Sequence, residues 1–210
     1  MTILLIRHGE TEWNRARRHQ GRFDSPLTAR GLAQAHAIGR RLAGLPEAIA
    51  APIVSSPQGR ARHTAKIICE ELGDLRVLRL DARLREHSVG VWDGLTYSEI
   101  ERQVPGIFDG DGGHPPEWYF RGPGSESYAA FAERIGHWLE EQDAAVPVIV
   151  VAHGLVSRVL RGLYAGLPPA EALVLPVPQD RIFRLSEGRI ETLAVTGKSL
   201  PLDGGGRGWG

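Results

Sequence analysis

The chain has 210 residues, 42% of them hydrophobic, with 25 basic and 25 acidic side chains and a formal net charge of zero. That length supports one substantial core, and the charge balance gives no reason to expect a nucleic-acid partner. A local basic pocket remains open to it, since a few arginines pointing the same way suffice. The single cysteine, Cys69, excludes an internal disulfide and, within an apolar helical pattern, reads as a buried thiol.

Ile3-Leu4-Leu5-Ile6 is a short apolar run ending at Arg7, the pattern of a buried strand. It is too short for a secretory signal and lacks the basic flank, and no run reaches the roughly 20 apolar residues of a membrane span. The expected location is cytoplasmic, with no membrane partner. Residues 28–43 follow a helical period, with Thr28 as N-cap, Leu32, Ala35, Ile38 and Leu42 as the apolar stripe, and Gly44 at the C-cap. A strand is expected over residues 52–56, a helix over 59–72 and a third strand over 75–80. Residues 84–127 break the rhythm, with clustered glycine, proline and aromatic residues and one short helix near 96–103. They read as a lid-like excursion from a single domain spanning residues 1–200. A helix over 126–142 precedes the most apolar strand, residues 147–152, and a helix over 155–164 follows. Strands are expected over 172–176, 181–186 and 189–195, the last two joined by Ser186-Glu187-Gly188 as a hairpin. The glycine-rich residues 201–210 are expected to be disordered.

The alternation of strands and helices predicts an α/β three-layer sandwich, with a mostly parallel central sheet and helices on both faces. Ligands of such sheets bind beyond the carboxyl ends of the strands. Two strands end alike, in Ile6-Arg7-His8-Gly9 and Val151-Ala152-His153-Gly154, and a third ends just before Arg60. The sequence thus permits two histidines and two arginines to meet at one sheet edge. Arginine offers a planar fork of donors and a charge it cannot lose, which suits a phosphate. A histidine beside two arginines is pushed towards its neutral, nucleophilic form. A backbone carbonyl is expected to fix its tautomer, and the amides of Gly9 and Gly154 could face the phosphate. Glu86, where the chain leaves the sheet, could give a proton to the leaving group and later take one from water. Each of these residues alone has an ordinary structural reading, and residue chemistry by itself stops at an anion site.

Longer blocks carry a resemblance further. Leu5-Ile6-Arg7-His8-Gly9-Glu10-Thr11-Glu12-Trp13-Asn14 is followed by Gln20-Gly21-Arg22-Phe23-Asp24-Ser25-Pro26-Leu27-Thr28, by Ser55-Ser56-Pro57 with Arg60-Ala61, and by Leu84-Arg85-Glu86 with Gly90-Val91-Trp92-Asp93-Gly94. Pro123-Gly124-Ser125-Glu126-Ser127 and Val150-Val151-Ala152-His153-Gly154 with Arg158 complete the order. Together they resemble the histidine phosphatase superfamily, also called phosphoglycerate mutase-like, over roughly residues 3–160. The resemblance implies His8 as the phosphorylated nucleophile, Glu86 as proton donor and acceptor, and His153 as stabiliser of the transition state. Arg7, Asn14, Arg60 and His153 would bind the phosphate, and Gln20, Gly21 and His87 would border the substrate. It implies no metal and no cofactor.

His19, His36, His63, His114 and His137 match no catalytic position and read as surface or helix-face residues. Trp13 and Trp92 read as packing groups. Ala152 and Leu155 depart from the family's usual serine and glycine. The expected activity is metal-independent hydrolysis of small phosphorylated metabolites, because His-Ser-Val-Gly-Val-Trp-Asp-Gly after Glu86 is similar to the phosphatase branch. A cofactor-dependent phosphoglycerate mutase and a non-catalytic phosphate-binding protein are the alternatives. A homodimer is compatible with the sequence, which does not specify the oligomeric state. Phe108, Trp118, Tyr119 and Phe120, with Asp109, Asp111 and Arg121, are expected to form a mixed apolar and polar wall over the pocket.

Overall fold

The computed structural model describes residues 1–73, 78–108 and 116–195. Strand β1 (Thr2–Arg7) leads through the one-turn helix α1 (Glu12–Arg15) to α2 (Ala29–Ala43). Strand β2 (Ile53–Ser55), α3 (Gly59–Glu71) and β3 (Leu78–Leu80) follow. The excursion contains α4 (Tyr97–Gln103), and the chain then rejoins the layers with α5 (Tyr128–Glu140), β4 (Val148–Ala152) and α6 (Gly154–Ala165). It finishes with the short α7 (Pro169–Ala172), β5 (Arg181–Ser186) and β6 (Arg189–Ala194). The sheet order is β3-β2-β4-β1-β5-β6. The first four are parallel to one another, and the β5–β6 hairpin is antiparallel beside β1.

The pleat of the central strands sorts the core into two layers, because successive side chains point to opposite faces. Ile3, Leu5, Val148, Val150 and Ala152 pack with Phe131, Ile135 and Trp138 of α5 and with Val156, Val159 and Leu160 of α6. Leu4, Ile6, Ile149 and Val151 pack on the other side with Ile38 and Leu42 of α2 and with Ala61, Ala65 and Ile68 of α3. Continuous apolar runs in β1 and β4 are thus the mark of strands covered on both faces. Cys69 differs from expectation: it is half-buried at the margin of the second layer, not enclosed within it.

Local signals set most boundaries. The Thr28 hydroxyl accepts from Gly31 N and starts α2. Thr96 with Glu99 forms a reciprocal capping box at α4. Ser127 caps α5, so that helix begins at Tyr128 and Glu126 stays in the preceding loop. The expected strand over 172–176 is absent. Leu173 is buried beyond the end of α7, and the carbonyls of Leu175, Pro176 and Val177 accept from Arg158, Arg161 and Arg7. Pro176 and Pro178 have no amide donor, and this stretch spends its acceptors on arginines instead of a neighbouring strand. Of the expected third strand, residues 75–77 fall outside the described residues, as does the 201–210 tail. Among the described residues no helix is long and apolar enough to cross a membrane.

The excursion has its own small core. Val89, Trp92, Ile100, Ile107 and Trp118 are buried together, with Trp118 only 1% exposed at the centre. This differs from the expected wall. Phe108 and Trp118 are in edge contact inside that cluster, Phe120 packs on Phe131 of the main core, and only Tyr119 of the four aromatics borders the large cavity. Asp109 and Asp111 lie outside the described residues, and Arg121 is exposed away from the cavity.

The sheet and α2 meet at one tight contact. A Cβ on Gly31 would lie 2.0 Å from Glu10 O, and one on Gly9 would lie 2.4 Å from Gly31 O. Both positions press backbone on backbone directly beside His8. Gly31→Ala should therefore cost about 1–3 kcal/mol through overpacking, despite the better helix propensity of alanine. Chemical denaturation measures this, and a variant as stable as the parent would contradict the contact.

Candidate active site

The carboxyl ends of β1 and β4 lie level, with Arg7 paired to Ala152 and His8 N donating to Ala152 O at 3.0 Å. The next residues, His8 and His153, are consequently neighbours, with ring centroids 5.2 Å apart in an edge-on arrangement. Both rings are buried. His8 Nδ1 donates to Gly9 O at 2.8 Å, which places the proton on Nδ1 and leaves the Nε2 lone pair outward. Arg60 Nε donates to that Nε2 at 3.3 Å. Neither ring nitrogen of His153 has a hydrogen-bond partner within the described protein.

Burial is the largest cause holding His8 well below the usual histidine pKa of 6.5, followed by the charges of Arg60 and Arg7. The arginine effect expected from sequence is present but comes second. His153 is lowered in the same way, by burial first and then by Arg60. Both histidines are neutral at physiological pH.

Arg60 is fixed on several sides. Its guanidinium donates to Phe23 O at 2.6 Å, to Asp24 Oδ1 at 2.8 Å and to Gly21 O at 3.1 Å. Asp24 also accepts from Gly59 N and Arg60 N, and so caps α3 from a distant loop. Arg7 donates to Val177 O at 2.7 Å, while its buried Nε has no partner within the protein. Asn14 closes a capping box with Thr11 at α1. Its Oδ1 accepts from Thr11 N and from Gln179 Nε2, so its amide nitrogen is the group left for the cavity it borders. Glu86 lies at the start of α6: its carboxylate accepts from Leu155 N at 3.2 Å, Val156 N at 3.3 Å and His87 N at 3.1 Å. These bonds hold the carboxylate at the cavity that His8 also borders.

All of Arg7, His8, Asn14, Gln20, Gly21, Arg60, Glu86 and His87 border one cavity of about 760 Å³. His153 sits behind His8. Gly21 has φ +47°, and a Cβ there would fall 1.7 Å from Asp93 Oδ1, so only glycine fits between Arg60 and Asp93. Gly9 departs from expectation, since its amide donates to Thr64 Oγ1 at 3.1 Å and not into the cavity. His87 is largely a pillar: its Nε2 donates to Glu126 O, and its ring packs against Phe120 and Phe131. His19, read as a surface or helix-face residue, is instead half-buried on the cavity wall, edge-on to Tyr97 and Trp118. His36 pairs with Glu71, His63 and His137 are exposed, and His114 falls outside the described residues.

Three supports escaped sequence reasoning. Gln58 bridges the site by donating to Gly21 O and accepting from Glu86 N, both at 2.7 Å. Gln179 donates to His8 O at 3.0 Å. Asp93 gathers Val89 N and the Ser88 hydroxyl. Their polar types gave no local signal; Gln58 and Asp93 stand out only by being buried, and Gln179 is half-buried. Among the described residues no group of three or more His, Cys, Asp or Glu side chains is spaced to hold a metal ion.

The two neutral histidines carry a pH signature. Their folded pKa values lie below the unfolded value, so the unfolded chain binds more protons as the pH falls below about 6.5, and stability declines in that direction. Nitrogen-15 NMR should show His8 as the neutral Nδ1–H tautomer well below pH 6.5, and His153→Asn should flatten the acid loss of thermal stability. A His8 titration at the ordinary value would contradict the burial.

Residues 3–192 match the histidine phosphatase superfamily (branch 1). The chain is 37% identical over 179 residues to a probable phosphoglycerate mutase GpmB of Yersinia enterocolitica, covering 80% of this chain and 77% of that one. Bacillus stearothermophilus YhfR superposes with a TM-score of 0.77 at 31% identity, covering 92% of this chain and 95% of that one. A mycobacterial glucosyl-3-phosphoglycerate phosphatase superposes with a TM-score of 0.70 at 30% identity, covering 87% and 88%. The two level histidines, their arginines and this agreement over nearly the whole chain lead to one conclusion: the protein belongs to the histidine phosphatase superfamily, whose members are phosphatases or mutases.

Proposed function

We propose that this protein hydrolyses phosphomonoesters of small metabolites through a phosphohistidine on His8. The observation that carries this reading is the His8 ring itself, neutral, with Nδ1 bound to Gly9 O and Nε2 within reach of Arg60. Arg7, Arg60, His153 and the Asn14 amide hold the non-bridging phosphate oxygens. His8 Nε2 attacks phosphorus in line, the P–O bond to the alcohol breaks, and Glu86 gives its proton to the departing oxygen. Water then attacks the phosphohistidine, Glu86 takes a proton from that water, and the P–N bond breaks to return His8 and release phosphate. These steps need no metal or cofactor. The arginines contribute by meeting charge that spreads over the oxygens in the transition state.

Two structural features support hydrolysis with this geometry. Glu86 is anchored by three backbone amides on the α6 side, so a proton can be handed over at a defined position. The cavity, within the range of sites for drug-sized ligands, leaves space beyond a phosphate for an alcohol and an incoming water. The likeness to a glucosyl-3-phosphoglycerate phosphatase supports the phosphatase reading. A phosphoglycerate mutase is the second reading, favoured by the 37% identity to a relative of that probable activity. It shares the first step and differs in passing the phosphoryl group to a second hydroxyl.

A panel of phosphomonoesters that includes 3-phosphoglycerate distinguishes them when free phosphate and isomerised product are assayed together. Release of phosphate as the main product is expected; isomerisation without release would replace the first reading by the second. His8→Ala should abolish both turnover and acid-labile labelling of the protein, and a labelled variant would identify a different nucleophile. Glu86→Gln should slow esters with poor leaving groups about 10²–10⁴-fold, and activated aryl esters far less. Equal losses across the leaving-group series would remove Glu86 from the proton-transfer role.

A further inference from the structure

The mouth of the cavity is bordered by four consecutive residues, Arg15, Ala16, Arg17 and Arg18. The chain leaves α1 there in a left-handed turn, with Arg17 at φ +52°. Arg17 N donates to Asn14 O at 3.0 Å and Arg18 N to Trp13 O at 2.8 Å. This pair of bonds closes a helix around a turning residue that is ordinarily glycine. An L side chain is disfavoured in that backbone conformation, and Arg17 itself takes part in the turn through its main-chain groups. The arginine side chain therefore contributes nothing to the closure of the turn and works against it.

Its neighbours are engaged. Arg15 pairs with Glu12 at 2.5 Å, Arg18 with Glu99 at 3.2 Å and also over the Trp13 ring, and Arg22 with Asp93 at 3.7 Å. Arg17 is exposed, and among the described residues no carboxylate pairs with it. Six arginines border the cavity against two glutamates, Glu10 and Glu86. Arg7 and Arg60 lie at the floor, beside His8. The positive excess therefore continues outward to a point where the floor phosphate no longer uses it, in a cavity far larger than a phosphate alone requires.

We propose that Arg17 is the specificity-determining residue of an outer anion subsite. It would take a phosphate or carboxylate carried at the far end of the leaving group. This rests on the reading of the floor as a phosphoryl site. A strained backbone at the rim of a binding cavity is where such a side chain would be retained at a cost in stability. The interaction is partly open to solvent, so it is modest in size and weakens as salt rises.

Two hydrolysis-resistant probes test it on the full chain by calorimetry, hexylphosphonate and hexane-α,ω-diphosphonate. The native chain should favour the diphosphonate, Arg17→Gly should reduce that preference about threefold, and Arg17→Lys should restore most of it. The preference should also shrink with added salt. Glycine accepts the left-handed turn, so the thermal midpoint of Arg17→Gly should hold or rise by up to about 2 °C. An equal preference in the native and Arg17→Gly chains overturns the subsite, as does a fall in the midpoint large enough to mark a structural role. Neither probe is turned over, so a lack of phosphate release from p-nitrophenyl phosphate would count against the hydrolytic reading alone. Failure of both probes to bind would overturn the floor and the subsite together.

Discussion

The pairing of β1 with β4 is the constraint on which the site depends. In this parallel pair Arg7 stands opposite Ala152, and the residues just beyond the strand ends are His8 and His153. A slip of one residue would turn every side chain of β1 to the other face. Ile3 and Leu5 would leave the layer of α5 and α6, and Leu4 and Ile6 would leave the layer of α2 and α3. Both layers are apolar, so a slip would keep these side chains buried but exchange differently shaped ones in two close-packed layers, a misfit that costs about 1–3 kcal/mol. The geometry of the two histidine rings is therefore held by apolar side chains of the strands behind them.

That enclosure also sets the electrostatics. Rings buried this deeply remain neutral, and the neighbouring cations reinforce the effect. The same burial is costly for the arginines, because a guanidinium removed from water needs hydrogen-bond acceptors in return. Arg60 finds them in Phe23, Gly21 and Asp24, all in the loop before α2. Arg7, Arg158 and Arg161 find them in successive carbonyls of the stretch after α7. Two irregular segments thus serve as acceptor belts for the arginines around the cavity. Their lack of regular pairing is what leaves those carbonyls available.

The excursion is joined to the site by the same economy of polar contacts. Asp93 lies against Gly21, Gln58 ties Gly21 to Glu86, and Glu126 O accepts from His87 Nε2. Its aromatic residues chiefly stabilise the excursion itself, around Trp118. Beyond Glu86 and His87, it borders the cavity with Val89, Thr96, Tyr97, Ser98 and Tyr119. Gln58, at the start of α3, ties Glu86 to the layered body of the protein.

By itself the sequence determined the layered architecture, because apolar runs and helical stripes report burial through fixed periods of two and 3.6. The N-caps Thr28, Thr96 and Ser127 were visible in residue type, and Thr28 was read correctly as a helix start. The blocks around His8, Arg60, Glu86 and His153 named the residues that the sheet then gathered. Tertiary structure alone decided which of the surrounding polar groups support them. Gln58, Asp93 and Gln179 act across 28 or more residues of chain, or from the far end of it, and no local pattern encodes such contacts. It also decided that residues 172–176 do not form a strand, since Ala172 ends α7 and the carbonyls of Leu175 and Pro176 accept from Arg158 and Arg161, and that Trp118 packs inward while Tyr119 faces the cavity. Local periodicity reports which face of an element is buried; which distant carbonyl or amide meets a buried charge is fixed only when the layers close.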